Sequence, residues 1–261
     1  MRESDKAPFA HMKSREAELE GWRVRAQRSE VPERGSELQL DDAGFDEHPI
    51  SEMARISLIS AGEHLRLAWT AILAGQLYPI AHFTTLRSAL LAASQAVYIL
   101  GPDEGSVRRG RGLAAVAESY KRARQFHKET LKHPDLTDGE RQEIEAHVEW
   151  LTTRLGETRQ AGAEISLNIS DDVIPYASKL VYGMSKDREL GVNLLWRKLS
   201  GDAHALTWAV AQRTTFKSAR AGQILGEGIV WGSLEEVSQP FEASFQILRR
   251  GWSLYDQRCE K

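Results

Sequence analysis

Cysteine is almost absent from this sequence of 261 residues, which contains only Cys259, close to the C-terminus. A single thiol cannot form a disulfide within the chain. Proteins of oxidising compartments often depend on disulfides, whereas cytosolic proteins keep their thiols reduced. The composition therefore predicts a cytoplasmic protein whose stability comes from its core and not from covalent cross-links.

Long hydrophobic runs are also missing. The first 21 residues, MRESDKAPFAHMKSREAELEG, contain no apolar segment of the kind found in a signal peptide. The most apolar later stretch, residues 88–100, is shorter than the roughly 20 residues that a transmembrane helix needs. Ser94 and Gln95 also interrupt it. We therefore expect no membrane partner.

Neither sign of charge is in large excess, because 34 Lys and Arg residues stand against 37 Asp and Glu residues, for a formal net charge of −3. Such a balance gives the chain as a whole no attraction to nucleic acids or anionic membranes, so any such binding must come from a local patch. The hydrophobic content of 41% is ordinary for a globular protein and supports a sizeable core at this length.

Apolar residues recur with a helical period through most of the chain. Leu58, Leu65, Trp69 and Ile72 are separated by seven, four and three residues, which places them on one face of a helix. Glycine is frequent within residues 213–233, where a hairpin and an irregular loop are both compatible with the sequence. The sequence predicts an all-α fold, a bundle of about seven or eight helices with one glycine-rich loop or small hairpin near the C-terminus.

The first 50 residues differ in character from the rest. Residues 11–30 predict a highly charged helix, and residues 31–50 combine glycine and proline with several acids, as in a linker or a long surface crossing. We therefore divide the chain into an N-terminal charged helix and linker, residues 1–50, and a helical bundle domain, residues 51–261.

Two apolar surfaces favour self-association. The first helix has a narrow apolar seam at Leu19, Trp22 and Val24, and the last helix has a long aromatic stripe that includes Phe245 and Trp252. A second copy of the chain could cover both surfaces in a symmetric complex. The sequence thus predicts a homodimer.

The segment with the most candidate chemistry is LLWRKLSGDAHALTWAV, residues 194–210. Apolar residues occur on nearly every side of it, which predicts a buried helical element around the polar residues Arg197, Ser200, Asp202 and His204. Such polar groups must be hydrogen-bonded or face a cleft. We expect a break or kink at Ser200 to Asp202, with Asp202 capping the helix that follows.

Arg197 and His204 follow an R-x6-H spacing. Seven residues are about two helical turns, so both side chains would lie on one face of a helix. An arginine can hold a phosphate through two hydrogen bonds, and a histidine can transfer a proton near neutral pH. Metal-free RNA cleavage requires both functions, and Ser200 and Asp202 could orient the histidine.

The stretch WRKLSGDAH resembles the R-x4-6-H motif of the HEPN domains, and the region that follows Arg87 resembles a family of bacterial helical proteins. The resemblance implies a metal-independent ribonuclease that acts as a dimer, with Arg197 holding the scissile phosphate and His204 acting as acid or base. Two positions depart from these patterns. Lys198 follows Arg197 directly, where the HEPN motif often has Asn, Asp or His. Leu91 lies four residues after Arg87, where the bacterial family has an acidic residue.

A structural interpretation of the same segment stays open. The spacing R-x4-6-H also occurs from Arg122 to His127 and from Arg141 to His147, so the spacing alone does not identify a site. The polar residues of the segment could instead form a buried network that joins two helices. The protein would then be a non-catalytic interaction protein.

The helix predicted at 106–132 is strongly basic. Its candidate nucleic-acid-binding residues are Arg108, Arg109, Arg111, Arg122 and Arg124. Clustered arginines gain free energy on a nucleic acid by releasing counterions, which makes RNA the expected partner. The alternative is that this helix lies beside the next one, which carries four glutamates between positions 140 and 149.

We expect neither a metal nor another cofactor. His64 and His82 are candidate ligands, but counting from the turn between their helices places them at different levels of the hairpin. The glycine-containing stretches GEG and GRG lack the flanking strand and helix of a phosphate-binding loop. A pocket for a small molecule, lined by Arg87, Trp196 and Trp208, is a third functional alternative.

Overall fold

The computed structural model describes residues 3–45, 47–163, 167–216, 228–230 and 232–261. Within these residues the only sheet is an antiparallel pair of short strands, β1 (Thr214–Phe216) and β2 (Gly228–Val230), and helices form most of the rest. The all-α class is therefore confirmed, with a two-stranded element near the C-terminus. Gly222 and Gly226 of the predicted glycine-rich stretch lie outside the described residues.

The helices are α1 (Glu3–Lys13), α2 (Glu16–Ala26), α3 (Glu37–Asp42), α4 (Ile50–Leu73), α5 (Ala81–Leu100), α6 (Gly105–Thr130), α7 (Asp138–Gln160), α8 (Ile174–Tyr182), α9 (Lys186–Ala203), α10 (Thr207–Ala211) and α11 (Leu234–Cys259). A π-helical turn, Ile169–Val173, precedes α8. The predicted N-terminal helix is divided into α1 and α2 at Ser14. The hydroxyl of Ser14 donates to the carbonyl of His11 at 2.7 Å, a local bond that competes with a continuous helix.

Contacts divide the chain into two compact units. The first unit comprises Met1–Glu30, Ile56–Val97 and Ile169–Ser253. The second comprises Val31–Arg55, Tyr98–Asn168 and Leu254–Lys261. The boundary predicted after residue 50 divides the chain into parts that would fold separately. A division by contacts does not test separate folding, so this boundary stays a prediction.

The aromatic stripe of α11 forms much of the core of the first unit. Phe241, Phe245 and Trp252 are buried at spacings of four and seven residues, as a helix that packs with one face requires. The ring of Phe241 lies 6.4 Å from that of Trp69, and the ring of Phe245 lies 5.2 Å from that of Trp22, between centroids. Each buried phenylalanine contributes roughly 1.5–3 kcal/mol to stability.

These contacts remove the reason for which a homodimer was predicted. Leu19 is buried, and Trp22 packs on Phe245, so the seam of the N-terminal helix covers the stripe of the last helix within one chain. An ion pair between Arg249 and Glu18, at 2.6 Å, links the same two helices. The homodimer itself stays a prediction that would need another surface.

The second unit is organised around the pair of helices α6 and α7. Val116 and Tyr120 of α6 pack with Leu151 and Leu155 of α7 in a buried cluster. Thr137 and Glu140 have the spacing from which the sequence predicts a capping box, and this box is present and satisfies backbone amides at the start of α7. Local sequence signals therefore account for both the start and the buried face of α7.

Among the described helices, α5 has the length and hydropathy that a membrane crossing would need. Within its most apolar stretch, 61% of the residues are buried in the protein. The core of the protein therefore accounts for much of the apolar character of this helix.

Candidate groove and the residues that line it

A groove of about 1240 Å³ lies in the first unit, lined by residues of α1, α8, α9 and α11 together with the single turn of α10. Its charged and aromatic lining residues are His11, Tyr182, Arg188, Arg197, Lys198, Trp208 and Glu242. Leucine and valine side chains of α8 and α9 form apolar parts of the lining. The groove therefore offers cations, an aromatic ring and apolar surface to one ligand.

Helix α9 supplies the cations of the groove. Trp196 and Leu199 are buried at a spacing of three residues and turn one face of α9 towards the core. Arg188, Arg197 and Lys198 lie outside that face and line the groove. The amphipathic pattern of α9 thus places three positive charges along one opening.

The tight end of α9 positions Trp208. The amide of Leu206 donates to the carbonyl of Gly201 at 2.8 Å, and the amide of Ala205 donates to that of Asp202 at 3.0 Å, which is the bonding of a Schellman motif. Ala205 adopts φ of +53°, a left-handed conformation that favours glycine. A Cβ atom on Gly201 would lie 2.7 Å from Cζ2 of Trp208, so glycine permits this close approach and leaves the indole 47% exposed.

Glu242 of α11 anchors a second part of the lining. Its carboxylate accepts hydrogen bonds from Nη2 of Arg15 at 3.0 Å, Nε2 of Gln246 at 2.6 Å and Nε2 of His11 at 2.9 Å. Burial acts to raise the pKa of Glu242, but these hydrogen bonds and the positive charge of Arg15 outweigh burial and leave the pKa below its usual value. The carboxylate is therefore ionised at neutral pH.

Tyr182 remains a hydrogen-bond donor under all physiological conditions. Burial, followed by the negative charge of Glu242, raises the pKa of its phenol to about 12, while Arg188 acts in the opposite direction. The groove thus contains a neutral phenol beside an ionised carboxylate.

The structure places the two predicted catalytic residues in different surroundings. Arg197 is exposed, lines the groove and forms an ion pair with Asp171 at 3.0 Å. His204 is exposed at the C-cap of α9 and is not among the described residues that line the groove. Of the pair, Arg197 alone belongs to this site.

The other two predicted site residues are bonded elsewhere. The carboxylate of Asp202 accepts hydrogen bonds from the guanidinium of Arg213, and both side chains are 0% exposed. Ser200 accepts a hydrogen bond from Nε of Arg87 at 3.1 Å and donates one to the carbonyl of Trp196 at 2.8 Å. In the described part of the chain, neither side chain is hydrogen-bonded to the histidine that it was expected to orient.

The predicted break in the helix is wrong. Helix α9 continues through Asp202 to Ala203, and Leu206 occupies the N-cap of α10. Asp202 does not cap a helix because its carboxylate is bound to Arg213. Burial on every side is wrong as well, since α9 packs with one face only and Leu194 is 61% exposed.

Several arginines of α6 are held by bonds within the second unit. Arg108 is buried, and its Nε donates to Asp41 at 2.6 Å, while Arg109 reaches the same carboxylate at 3.3 Å. Arg111 donates to the carbonyl of Tyr98 at 3.0 Å and stacks over the ring of that residue. A phosphate could reach Arg108 only after displacing Asp41.

The remaining two α6 candidates differ in exposure. Arg122 is exposed and pairs with Glu118 at 2.7 Å, one turn earlier in the same helix. Arg124 is half-buried. Helix α6 packs beside α7, but the ion pairs of Arg122 and Lys121 are made with Glu118 of α6 itself. Arg122 is therefore the α6 candidate most accessible to a phosphate.

Among the groove residues that sequence reasoning missed are His11 and Glu242. They are 231 positions apart in the chain, and each lies on a helix whose other face packs in the core. Motifs are read over short spacings, so no local pattern connects these two residues. Only the packing of α1 and α2 against α11 brings them together.

Among the described residues, no group of three or more His, Cys, Asp or Glu side chains could hold a metal ion. His82 is buried, its Nδ1 lies 3.0 Å from the amide nitrogen of Tyr78, and burial lowers its pKa. The expectation that the protein needs no cofactor stays a prediction.

Comparisons with protein-family models, with curated proteins and with solved structures give no match. The resemblance to HEPN domains therefore stays a prediction. A function has to be argued from the groove itself.

Proposed function

We propose that the protein binds single-stranded RNA in the groove, with phosphates on Arg188, Arg197 and Lys198 and a base stacked on Trp208. The observation that carries this proposal is the placement of three cations and a half-exposed indole along one opening of a chain with net charge −3. Grooves that combine basic residues with aromatic platforms are typical of proteins that bind single strands.

The cations of the groove are largely free to bind a ligand. Within the described residues, neither Arg188 nor Lys198 forms an ion pair with a carboxylate, and the pair between Arg197 and Asp171 is exposed. Exposed ion pairs contribute only about 0–1 kcal/mol, so a phosphate can displace Asp171 at small cost. Because the net charge of the chain is negative, attraction of an RNA phosphate has to come from these local cations.

Trp208 supports a strand with unpaired bases. An indole that is 47% exposed beside three cations can stack on one base while the adjacent phosphates contact the cations. In a duplex the bases are stacked on each other and do not offer their faces. The groove therefore favours a single strand over a double helix.

The binding of a fluorescently labelled single-stranded RNA, followed by anisotropy, tests the proposal. Loss of one stacked base costs about 1–3 kcal/mol, so Trp208→Ala should weaken binding roughly 5- to 150-fold. Arg197→Ala should weaken binding and reduce the slope of log K against log salt by about 0.7, the value for one lost phosphate contact on a single strand.

Two matched variants on α6 serve as controls. Phe126→Ala removes an aromatic ring that is 66% exposed, and Arg122→Ala removes an exposed arginine, both outside the groove. Neither should change affinity by more than a small amount. If the α6 variants weaken binding and the groove variants do not, the basic face of α6 is the RNA site.

Failure of RNA binding would favour the other two functional alternatives. A non-catalytic interaction protein would use the groove for a protein segment, and a small-molecule binder would use it for a compact anion. In either case, neither the parent protein nor Trp208→Ala would bind the RNA.

A further inference from the structure

Among the described residues, His11 is the one histidine that lines the groove, and an ionised carboxylate holds it. Its Nε2 lies 2.9 Å from Oε2 of Glu242. That distance is typical of a charge-assisted hydrogen bond in which the ring nitrogen donates. His11 projects from α1, whereas the cations of the same groove project from α9.

The carboxylate of Glu242 is itself fixed in place. Arg15 donates to both of its oxygens, at 3.0 and 3.2 Å, and Gln246 donates at 2.6 Å. A fixed acceptor on Nε2 sets the proton on that nitrogen and leaves the lone pair on Nδ1. Within the described residues, no hydrogen-bond partner lies on Nδ1 of His11.

The geometry points to His11 as a general base for cleavage of RNA bound in the groove, with Glu242 as its positioning residue. This inference rests on the proposed RNA binding. It differs from the expectation drawn from the sequence, because the proton acceptor comes from α1 and not from His204. A histidine oriented by a carboxylate is a recurring arrangement for proton transfer at neutral pH.

The reaction uses the 2′-hydroxyl of the substrate as nucleophile. Nδ1 of His11 takes the hydroxyl proton, O2′ forms a bond to the adjacent phosphorus, and the bond from phosphorus to O5′ breaks. O5′ leaves with the electron pair and takes a proton from water. The hydroxide that remains takes the proton from His11, so that the products are a 2′,3′-cyclic phosphate and a 5′-hydroxyl end.

The cations of α9 complete the chemistry. Negative charge on the phosphoryl oxygens increases in the transition state, and fixed positive groups stabilise such charge more than they stabilise the ground state. Arg197 and Lys198 are adjacent on α9 and line the groove that contains His11. Arg197 thus keeps the phosphate-binding role expected from the sequence, with a different histidine as its partner.

The test uses two strands of the same sequence. One is RNA throughout, and the other carries 2′-O-methyl groups, which cannot act as nucleophiles but still bind. We expect the protein to bind both and to cleave only the first, with a 2′,3′-cyclic phosphate identified by mass spectrometry. His11→Ala should lower the cleavage rate by about 100- to 10,000-fold, the usual contribution of one acid–base group, while affinity for the methylated strand is retained.

His204→Ala is the matched control, since it removes an exposed histidine of the same unit outside the groove. It should cleave at the parent rate. Added imidazole should restore part of the activity of His11→Ala, which loss of folding would not allow. Glu242→Gln should lower kcat and leave KM unchanged. A neutral amide stabilises the protonated imidazole of His11 less than a carboxylate does.

Three results would overturn the inference. Binding of the methylated strand without cleavage of the RNA strand would reject His11 as a base and leave the proposed RNA binding intact. Loss of cleavage in His204→Ala, with full activity in His11→Ala, would return the role to the histidine of α9. Failure to bind the methylated strand would reject the proposed function itself, and the inference with it.

Discussion

Replacement of Asp202 by asparagine tests the buried ion pair at the end of α9. The side chains of Asp202 and Arg213 are both 0% exposed, and the guanidinium also lies over the ring of Phe83, 4.1 Å from its centroid. Asparagine keeps the shape of the side chain but removes its negative charge. The cation of Arg213 would then remain buried without the carboxylate that compensates it.

The expected cost follows from this burial. Removal of one partner of a buried ion pair costs about 3–5 kcal/mol, because an uncompensated charge remains in the interior. Asparagine can still accept one hydrogen bond, which favours the lower end of that range. Each kcal/mol shifts the melting temperature of a chain of this size by about 2–4 °C, so a loss of about 3 kcal/mol predicts a decrease of roughly 6–12 °C.

Thermal unfolding followed by circular dichroism measures the effect, with Asp171→Asn as control. Asp171 forms an ion pair with Arg197 on the surface, where both side chains are more than half exposed, and such pairs contribute about 0–1 kcal/mol. The same chemical change should therefore have little effect there. If the two variants melt at the same temperature, burial does not determine the cost and the reasoning fails.

Three further predictions concern the groove and its supports. Ala205→Gly should stabilise the protein by about 0.5–1 kcal/mol, because glycine adopts the left-handed conformation of that residue without strain. Ala203→Gly, at the last helical residue of α9, should give no such gain, and urea unfolding compares the two variants. Gly201→Ala should destabilise by about 1–3 kcal/mol and change tryptophan fluorescence as its Cβ displaces the indole, whereas Gly191→Ala, which meets open space, should do neither. Between pH 10 and about 12 the unfolded chain releases the phenol proton of Tyr182 and the folded protein retains it, so the stability of the parent protein falls as pH rises through that range. Tyr182→Phe has no such proton, and its free energy of unfolding should fall less over the same range.

The sequence predicted what depends on neighbouring residues. The stripe of Leu58, Leu65 and Trp69 is buried in α4, and the capping box at Thr137 starts α7. Such features are set by helical periodicity and by bonds between residues three or four positions apart. They require no knowledge of which helices meet.

Pairings between distant residues could not be predicted in the same way. Asp202 has the residue type and position of a helix cap, and its own helix gives no sign that Arg213 will reach it. The apolar seam that includes Leu19 is compatible with a partner chain or with α11, and only the tertiary structure selects α11. Which partner each residue takes is determined by the packing of the helices, and a local sequence pattern contains no information about that packing.

The same limit explains the histidine assigned to Arg197. A spacing within one helix can pair Arg197 only with a neighbour such as His204, because a motif contains no information about α1. The groove instead receives its cations from α9, its imidazole from α1 and its carboxylate from α11. If His11 is the base, His11→Ala should lower the cleavage rate while Arg197 stays in place, although α1 contains no recognisable motif.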